Sequence, residues 1–382
     1  MAKMSDIFKA SQKEMDSYSV KDSPYAKVSE YIDTGCYAIN RVLTGDIHKG
    51  IPLGRITDIY GETQSGKSLL AARIVANALL KNNFQRVFYF DSEGGGLFDI
   101  FESLGVDLDL IEHVPVKSSE DCKVKMITLY DKLADAASEY HKNPKDNEMP
   151  RVLCVLDSFG MLDSDKTVAD ADKGKATADM GTTAKGKNSL MRTIAMRVVM
   201  SNCPLVIINH IYKNPGQMFP SKILEQPGGE GIRFASHVQL QMSKLLIKSG
   251  DNDYLTGHEK DDENIGFYKG NRIRAFCAKN RVIKPCFEAT MYLDFSTGIA
   301  KYDGLIDDAV KFGFINEVRG GYVVPSYSDK KVNLKTLVSS DEIWNTFIDD
   351  FNQKSIETMS YASVSSTSKE LDAIDEELQE IE

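Results

Sequence analysis

Nothing in this chain pairs its cysteines. The six stand at positions 36, 122, 154, 203, 277 and 286 without a C-x-x-C among them, and several, such as Cys154 in VLCVLD, lie inside apolar runs. That spacing predicts reduced, buried thiols and excludes a disulfide scaffold or a cysteine-held metal as the organising principle. Also missing is any apolar run near the ~20 residues that a membrane-spanning helix needs. The opening MAKMSDIFKA lacks the apolar core of a secretory signal, so the expectation is a cytoplasmic protein. A surplus of positive charge is absent too. The net charge is −10, the wrong sign for a chain that binds a polyanion with its whole surface. Most of that deficit is local: residues 369–382 (KELDAIDEELQEIE) hold seven acids against one lysine and supply −6 of it. A polyanion site elsewhere then has to be a patch.

What is present is a glycine loop with a strand before it and a helix after it. Residues 61–68 read Gly61-Glu62-Thr63-Gln64-Ser65-Gly66-Lys67-Ser68, which fits G-x-x-x-x-G-K-[ST]. Glycines let the backbone curl until successive N–H groups face one anion-sized hollow. Residues 55–60 (RITDIY) alternate like a strand, and residues 69–81 (LLAARIVANALLK), beginning at Leu69, are rich in helix formers. A phosphate would then sit at the positive end of a helix. Lys67 would reach the β- and γ-phosphates, and the Ser68 hydroxyl would hold Mg²⁺. A plain Gly-rich turn needs none of this context. A nucleoside triphosphate is the expected ligand.

The rest of the chain predicts an α/β fold around a mostly parallel sheet. Residues 86–91 (RVFYFD), 151–157 (RVLCVLD) and 204–209 (PLVIIN) are short, nearly unbroken apolar runs, as strands buried on both faces require. Helical stretches at 120–140 and 189–200 alternate with them, giving right-handed βαβ units. Residues 1–30 form an N-terminal arm outside the core. Residues 163–188 and 211–233 are long polar loops of the kind that are usually functional or disordered. Residues 234–246, 270–279 and 286–294 predict antiparallel strands beside the parallel core, and 304–314 a short helix. Residues 362–382, Ser-rich and then acidic, predict a flexible tail.

Ligands in such sheets lie beyond the carboxyl ends of the strands, where this chain places Asp91, Asp157 and Asn209. Asp157 ends an apolar strand downstream of the glycine loop, the position from which an acid orients Mg²⁺ beside Ser68. Hydrolysis needs a second carboxylate to polarise the attacking water. Glu93, in FYFDSEGGG, is the candidate, with Asp91 two residues back as its competitor.

Taken in order, further motifs resemble the RecA-type recombinases. They are IDTGCYAINRVLTG, GETQSGKS, FDSEGGGLFDIFESLGVD, LCVLDSFGML, ADMGTTAKGKNSLMR, VIINHIYKNPGQMF, PGGEGIRFASHVQLQM, RAFCAKNRVIKPCF and STGIAKYDGLIDDAVKFGFI, spanning roughly residues 30–325. A short N-terminal arm, His210 directly after Asn209 and the acidic tail make the chain most similar to phage UvsX-type recombinases.

The resemblance implies a RecA-like P-loop core over residues 31–300, an oligomerisation arm over 1–30 and a C-terminal appendage over 301–361. Glu93 would be the catalytic carboxylate and His210 the sensor of the γ-phosphate. Lys279 and Arg281 would reach a neighbouring subunit's triphosphate, the arginine-finger device supplied in trans. The two long loops would bind DNA. The first carries Lys166, Lys173, Lys175, Met180, Gly181, Lys185 and Lys187, and the second Tyr212, Lys213, Met218, Phe219, Lys222, Gly228, Gly229 and Arg233. Cations meet phosphates there, apolar wedges enter the base stack, and the paired glycines allow close approach. Where bacterial RecA stacks an aromatic on adenine this chain has Ile100, with Phe98 or Phe101 as substitutes. The implied activity is ATP-dependent, Mg²⁺-assisted filament formation on single-stranded DNA, with homologous pairing and strand exchange. Partners would be single-stranded and duplex DNA, further copies of the chain, and ssDNA-binding and loader proteins. A ring helicase of the same fold, or an ATP-binding accessory protein without strand exchange, is the alternative.

Overall fold

The computed structural model describes residues 17–95, 98–174, 181–211, 224–245, 270–294 and 298–361, with residues 4, 8, 14 and 15. A short antiparallel pair, β1 (Tyr31–Ile32) and β2 (Ile51–Pro52), precedes the main sheet. The sheet's centre is β3 (Ile56–Gly61), β4 (Arg86–Asp91), β5 (Ile111–Pro115), β6 (Val152–Asp157), β7 (Leu205–His210) and β8 (Val238–Lys244). These lie parallel in the order β8-β3-β7-β6-β4-β5. Beyond β8, β9 (Gly270–Asn280), β10 (Glu288–Asp294) and β11 (Gly298–Ile299) continue antiparallel, so that among the described residues nine strands share one sheet.

Strand alternation sorts the apolar residues onto two faces. Leu153 and Val155 of β6 and Val206 and Ile208 of β7 join one cluster with the helices Tyr37–Thr44 and Lys67–Leu80. Cys154, Leu156, Leu205 and Ile207 join the other, with the helices Ser119–Lys142 and Thr182–Ser201. A strand covered on both faces has no polar phase, hence the unbroken runs in the sequence. Helix Ser119–Lys142 starts where the Ser118 hydroxyl accepts from the Asp121 N–H, with Glu120 and Asp121 in the first turn and His141 and Lys142 in the last. Each end carries the charge its dipole favours.

The fold departs from the sequence pattern at several points. The antiparallel strand predicted over 234–246 begins at Val238 and runs parallel to β3; the direction first reverses at β9, and helix Glu230–Ala235 precedes β8. Of the polar stretch 163–188, residues 165–172 and 182–188 are helical. Helix Asp165–Asp172 is capped by Ser164 and buries no residue, so it shows no apolar period, and the next helix starts at Thr182 rather than at 189. β5 is an edge strand (IEHVP) whose polar residues conceal it.

After β11, helix Ile306–Lys311 leads into an antiparallel meander of β12 (Asn316–Val318), β13 (Gly321–Val324) and β14 (Ser328–Val332). Trp344 is fully buried, stacked on Tyr302 at 4.6 Å between ring centroids, and its Nε1–H donates to the Leu337 carbonyl at 2.7 Å. Trp344, Phe347 and Phe351 belong to the same apolar cluster as Ala38 and Ile39. A buried Arg41–Asp308 ion pair at 2.7 Å ties the helices Tyr37–Thr44 and Ile306–Lys311 together. Among the described residues no helix is long and apolar enough to cross a membrane.

Candidate nucleotide site and the loops beside it

β3 delivers Gly61 to the rim of the sheet, and helix Lys67–Leu80 leaves from Gly66. A Cβ on Gly61 would stand 1.9 Å from the Met242 carbonyl oxygen of β8, so only glycine fits there. Gly66 sits at φ 89°, in the left-handed region that lets the loop turn into the helix. Lys67 is 4% exposed and folds back over the loop, its ammonium donating to the carbonyls of Gly61 at 3.1 Å and Glu62 at 2.7 Å. Burial pulls its pKa down to about 8, against the pull of Asp157, Glu93 and Glu62. Lys244 Nζ and Asn271 Nδ2 hold Gln64 from the β8–β9 side, while Thr63 is exposed and Ser68 and Leu69 are half-buried. Ser65 Oγ is buried and has no hydrogen-bond partner among the described residues. An orphan buried hydroxyl and an ammonium resting on backbone carbonyls together fit a phosphate chain.

The acids differ in what they are free to do. Asp91 is 6% exposed: its Oδ1 accepts from the N–H groups of Glu93 and Gly94, both at 2.8 Å, and its Oδ2 lies 3.1 Å from His113 Nε2. It therefore shapes the turn that presents Glu93. Glu93 is exposed; its Oε1 accepts from the Ser158 hydroxyl and lies 3.1 Å from His210 Nε2. Asp157, opposite Asp91 in the sheet, has Oδ2 engaged by the Tyr89 hydroxyl at 2.6 Å. Burial raises the Asp157 pKa, the Tyr89 bond works against this, and Glu93 and Asp91 add to it.

A divalent cation would relieve this crowd of carboxylates. Among the described residues no group of three His, Cys, Asp or Glu side chains could hold a metal alone. Mg²⁺ suits such a site, since it is commonly held by one or two protein oxygens with phosphate and water supplying the rest. The Ser68 hydroxyl and the Asp157 carboxylate are the protein oxygens that would hold it.

β7 brings Asn209 and His210 beside β3, with Gly61 opposite His210. Beyond Ile211 the second loop's Tyr212, Lys213, Met218, Phe219 and Lys222 lie outside the described residues, as do Lys175 and Met180 of the first. Lys166, Lys173, Gly181 and Lys185 are exposed, on or beside the helices Asp165–Asp172 and Thr182–Ser201. Lys187 is not available to a phosphate. It is 4% exposed and donates to the Gly160 carbonyl at 2.7 Å, because the helix starts early and turns this residue inward. Gly228, at φ 107°, faces the Phe159 ring, which a Cβ would meet at 2.3 Å. Gly229 and Arg233 are exposed. Phe101 is fully buried and unavailable for stacking on a base, whereas Phe98 is half-buried with its ring 5.2 Å from that of His113.

Lys279 and Arg281 stand apart from this cradle. Lys279 pairs with Gln239 near the start of β8, three positions from the Met242–Gly61 pair, or about 10 Å along the strand. Lys279 donates to the carbonyls of Arg233 and Phe234, and Arg281 to that of Phe234 at 3.1 Å. Burial and the neighbouring Arg281 and Arg233 lower the Lys279 pKa to about 8. Phe234, between these cations, is 64% exposed.

Several participants escape a reading of the sequence alone. His113 comes from the concealed edge strand. Tyr89 was detectable as the residue two before Asp91 on one strand face, and Ser158 as the residue directly after Asp157.

Comparison with known proteins gives these features a setting. A family model, the RecA N-terminal domain, matches residues 18–300. The chain is similar to the recombination and repair protein of Enterobacteria phage T4, 24% identical over 340 residues that cover 89% of this chain and 78% of that protein. It is similar to Protein RecA of Aquifex aeolicus, 28% identical over 308 residues covering 79% of this chain and 76% of that one. Protein RecA of Clostridium tetani is 27% identical over 305 residues, covering 79% and 75%.

Proposed function

The chain belongs to the RecA family, and we infer from that membership and from the site that it couples DNA-dependent ATP hydrolysis to strand exchange. It is a recombinase that acts on DNA as an oligomeric filament and binds a nucleotide. The observation that carries the site reading is the Glu93–His210 contact, set between the glycine loop and the root of the second loop.

In this reading ATP is the nucleotide, cradled by residues 61–69. Mg²⁺, held by Ser68 and Asp157, would neutralise charge on the phosphate oxygens when bound. Lys67 leaves the loop carbonyls for the β- and γ-phosphates. Glu93, steadied by Ser158 and by the turn that Asp91 shapes, accepts the proton of the attacking water. His210 hydrogen-bonds the γ-phosphate, and its release from Glu93 frees the carboxylate. Lys279 and Arg281 exchange their carbonyl partners for a neighbouring subunit's triphosphate, so that a complete site exists only between subunits. Residues 1–30 serve as the oligomerisation arm, 31–300 as the ATPase core, 301–361 as the appendage and 362–382 as an acidic tail. The protein works in the cytoplasm, with ssDNA-binding and loader proteins as further partners. The deciding experiment is displacement-loop formation with homologous and heterologous duplex in the presence of ATP. Equal yields from the two duplexes would overturn strand exchange by homology.

Two expectations concern the DNA surface. Phe219→Ala removes a stacking wedge and should weaken ssDNA binding roughly tenfold, as expected for one base–aromatic contact; fluorescence anisotropy with labelled oligonucleotide measures it, and unchanged affinity moves the wedge elsewhere. Removing residues 369–382 deletes a −6 segment and should tighten ssDNA binding at low salt, with the gain vanishing as salt screens it. A gain that persists unchanged at high salt would show that electrostatic competition is not the tail's role.

A further inference from the structure

The limb that returns from the second loop is fastened to the sheet through side chains. Gln226 takes part at both ends. Its Nε2 donates to Asp58 Oδ2 of β3 at 2.8 Å, and its Oε1 accepts from Asn209 Nδ2 of β7 at 2.8 Å. Asn209 is fully buried; its Nδ2 also donates to the Pro227 carbonyl at 3.2 Å, and its Oδ1 accepts from the His210 N–H at 3.0 Å. Both acceptors of that amide therefore belong to the returning limb, and its other end grips the backbone of the residue that touches Glu93.

Asp58 gives the bridge a fixed footing. It is fully buried three residues before Gly61, and its Oδ2 takes a second amide from Gln239 at 2.8 Å while Oδ1 has no partner among the described residues. Burial pushes its pKa up to about 7 against the two amides and Lys279, so the carboxylate depends on these donors. Leu224 is fixed in the same way, its N–H donating to Gln241 Oε1 at 2.8 Å.

We propose that Gln226 is a positioning residue for hydrolysis, carrying DNA engagement of the second loop to the His210–Glu93 pair by bridging Asn209 and Asp58. A limb displaced by DNA must either carry Asn209 with it or break both of that amide's hydrogen bonds, and either event moves the backbone of His210. The inference rests on the reading that the second loop contacts DNA; Gln226 itself, with both ends of its amide held by Asp58 and Asn209, is not among the contacting residues.

The test compares wild type with Gln226→Met, which keeps length and removes both polar ends, in three measurements: ATP turnover without DNA, turnover with saturating ssDNA, and ssDNA affinity with a non-hydrolysable triphosphate. The expected result is that turnover without DNA and ssDNA affinity hold while the DNA-stimulated increment falls roughly tenfold, a coupling loss of ordinary size. Gln226→Asn, which keeps the polar ends on a shorter stem, should lose less, and it decides by the same readouts if Gln226→Met does not fold. Stimulation equal to wild type overturns the proposal. So does a joint fall of all three quantities, which marks a purely structural residue. A wild-type protein that DNA does not stimulate overturns the functional reading itself, and this inference with it.

Discussion

Replacing Lys67 with alanine should abolish ATP-dependent filament growth and lower turnover roughly 10²–10³-fold, the loss typical of removing one preorganised donor from developing phosphate charge. The same substitution should leave the unliganded fold intact. The Lys67 ammonium is desolvated and, among the described residues, rests on the carbonyls of Gly61 and Glu62, and burial already holds its pKa down at about 8. Removing it takes a poorly hydrated charge out of the interior and leaves carbonyls at the loop's rim. Thermal melts without nucleotide should therefore match wild type while the melting shift produced by ATP disappears. Normal strand exchange by Lys67→Ala would refute the nucleotide site.

Glu93→Gln should separate binding from hydrolysis. The amide keeps the shape of Glu93 and can still accept from Ser158, so the nucleotide and the filament should form. It cannot take a proton from water, and turnover should fall roughly 10²–10⁴-fold. Filaments of this variant should outlast those of wild type, because release follows hydrolysis; single-molecule dissociation after ATP is withdrawn measures their lifetime. Turnover within a few fold of wild type would transfer the role to another group. Asp91 is poorly suited to inherit it, since its oxygens are engaged by Glu93 N–H, Gly94 N–H and His113.

How much of this was legible beforehand depended on what each residue faces. β4, β6 and β7 are visible as apolar runs because both of their faces are covered. The strand-end positions of Asp91, Asp157 and Asn209 follow from those runs. β5 was hidden because an edge strand mixes polar and apolar residues, and His113 was hidden with it. Helix Asp165–Asp172 has no buried side to betray it. Lys187 looked like a surface cation because the start of helix Thr182–Ser201 carries no capping side chain, only Gly181 in the left-handed region. On paper Glu93 is the candidate and Asp91 a competitor two residues away on the same strand end. The turn, in which the Asp91 carboxylate gathers the backbone of Glu93 and Gly94, gives the two acids different surroundings. The Gln226 bridge joins positions 58, 209 and 226, and no local pattern announces a contact of that range.

The lone tryptophan has a practical consequence. Trp344 lies sealed between Tyr302 and Phe347, in the cluster that also holds the helix Tyr37–Thr44. Neither the glycine loop nor the two long loops contains a tryptophan. Intrinsic emission excited at the red edge, where tyrosine is dark, is therefore a clean optical gauge of the interior: bound bases cannot quench it by contact, and any change in its colour registers loosening of the core itself.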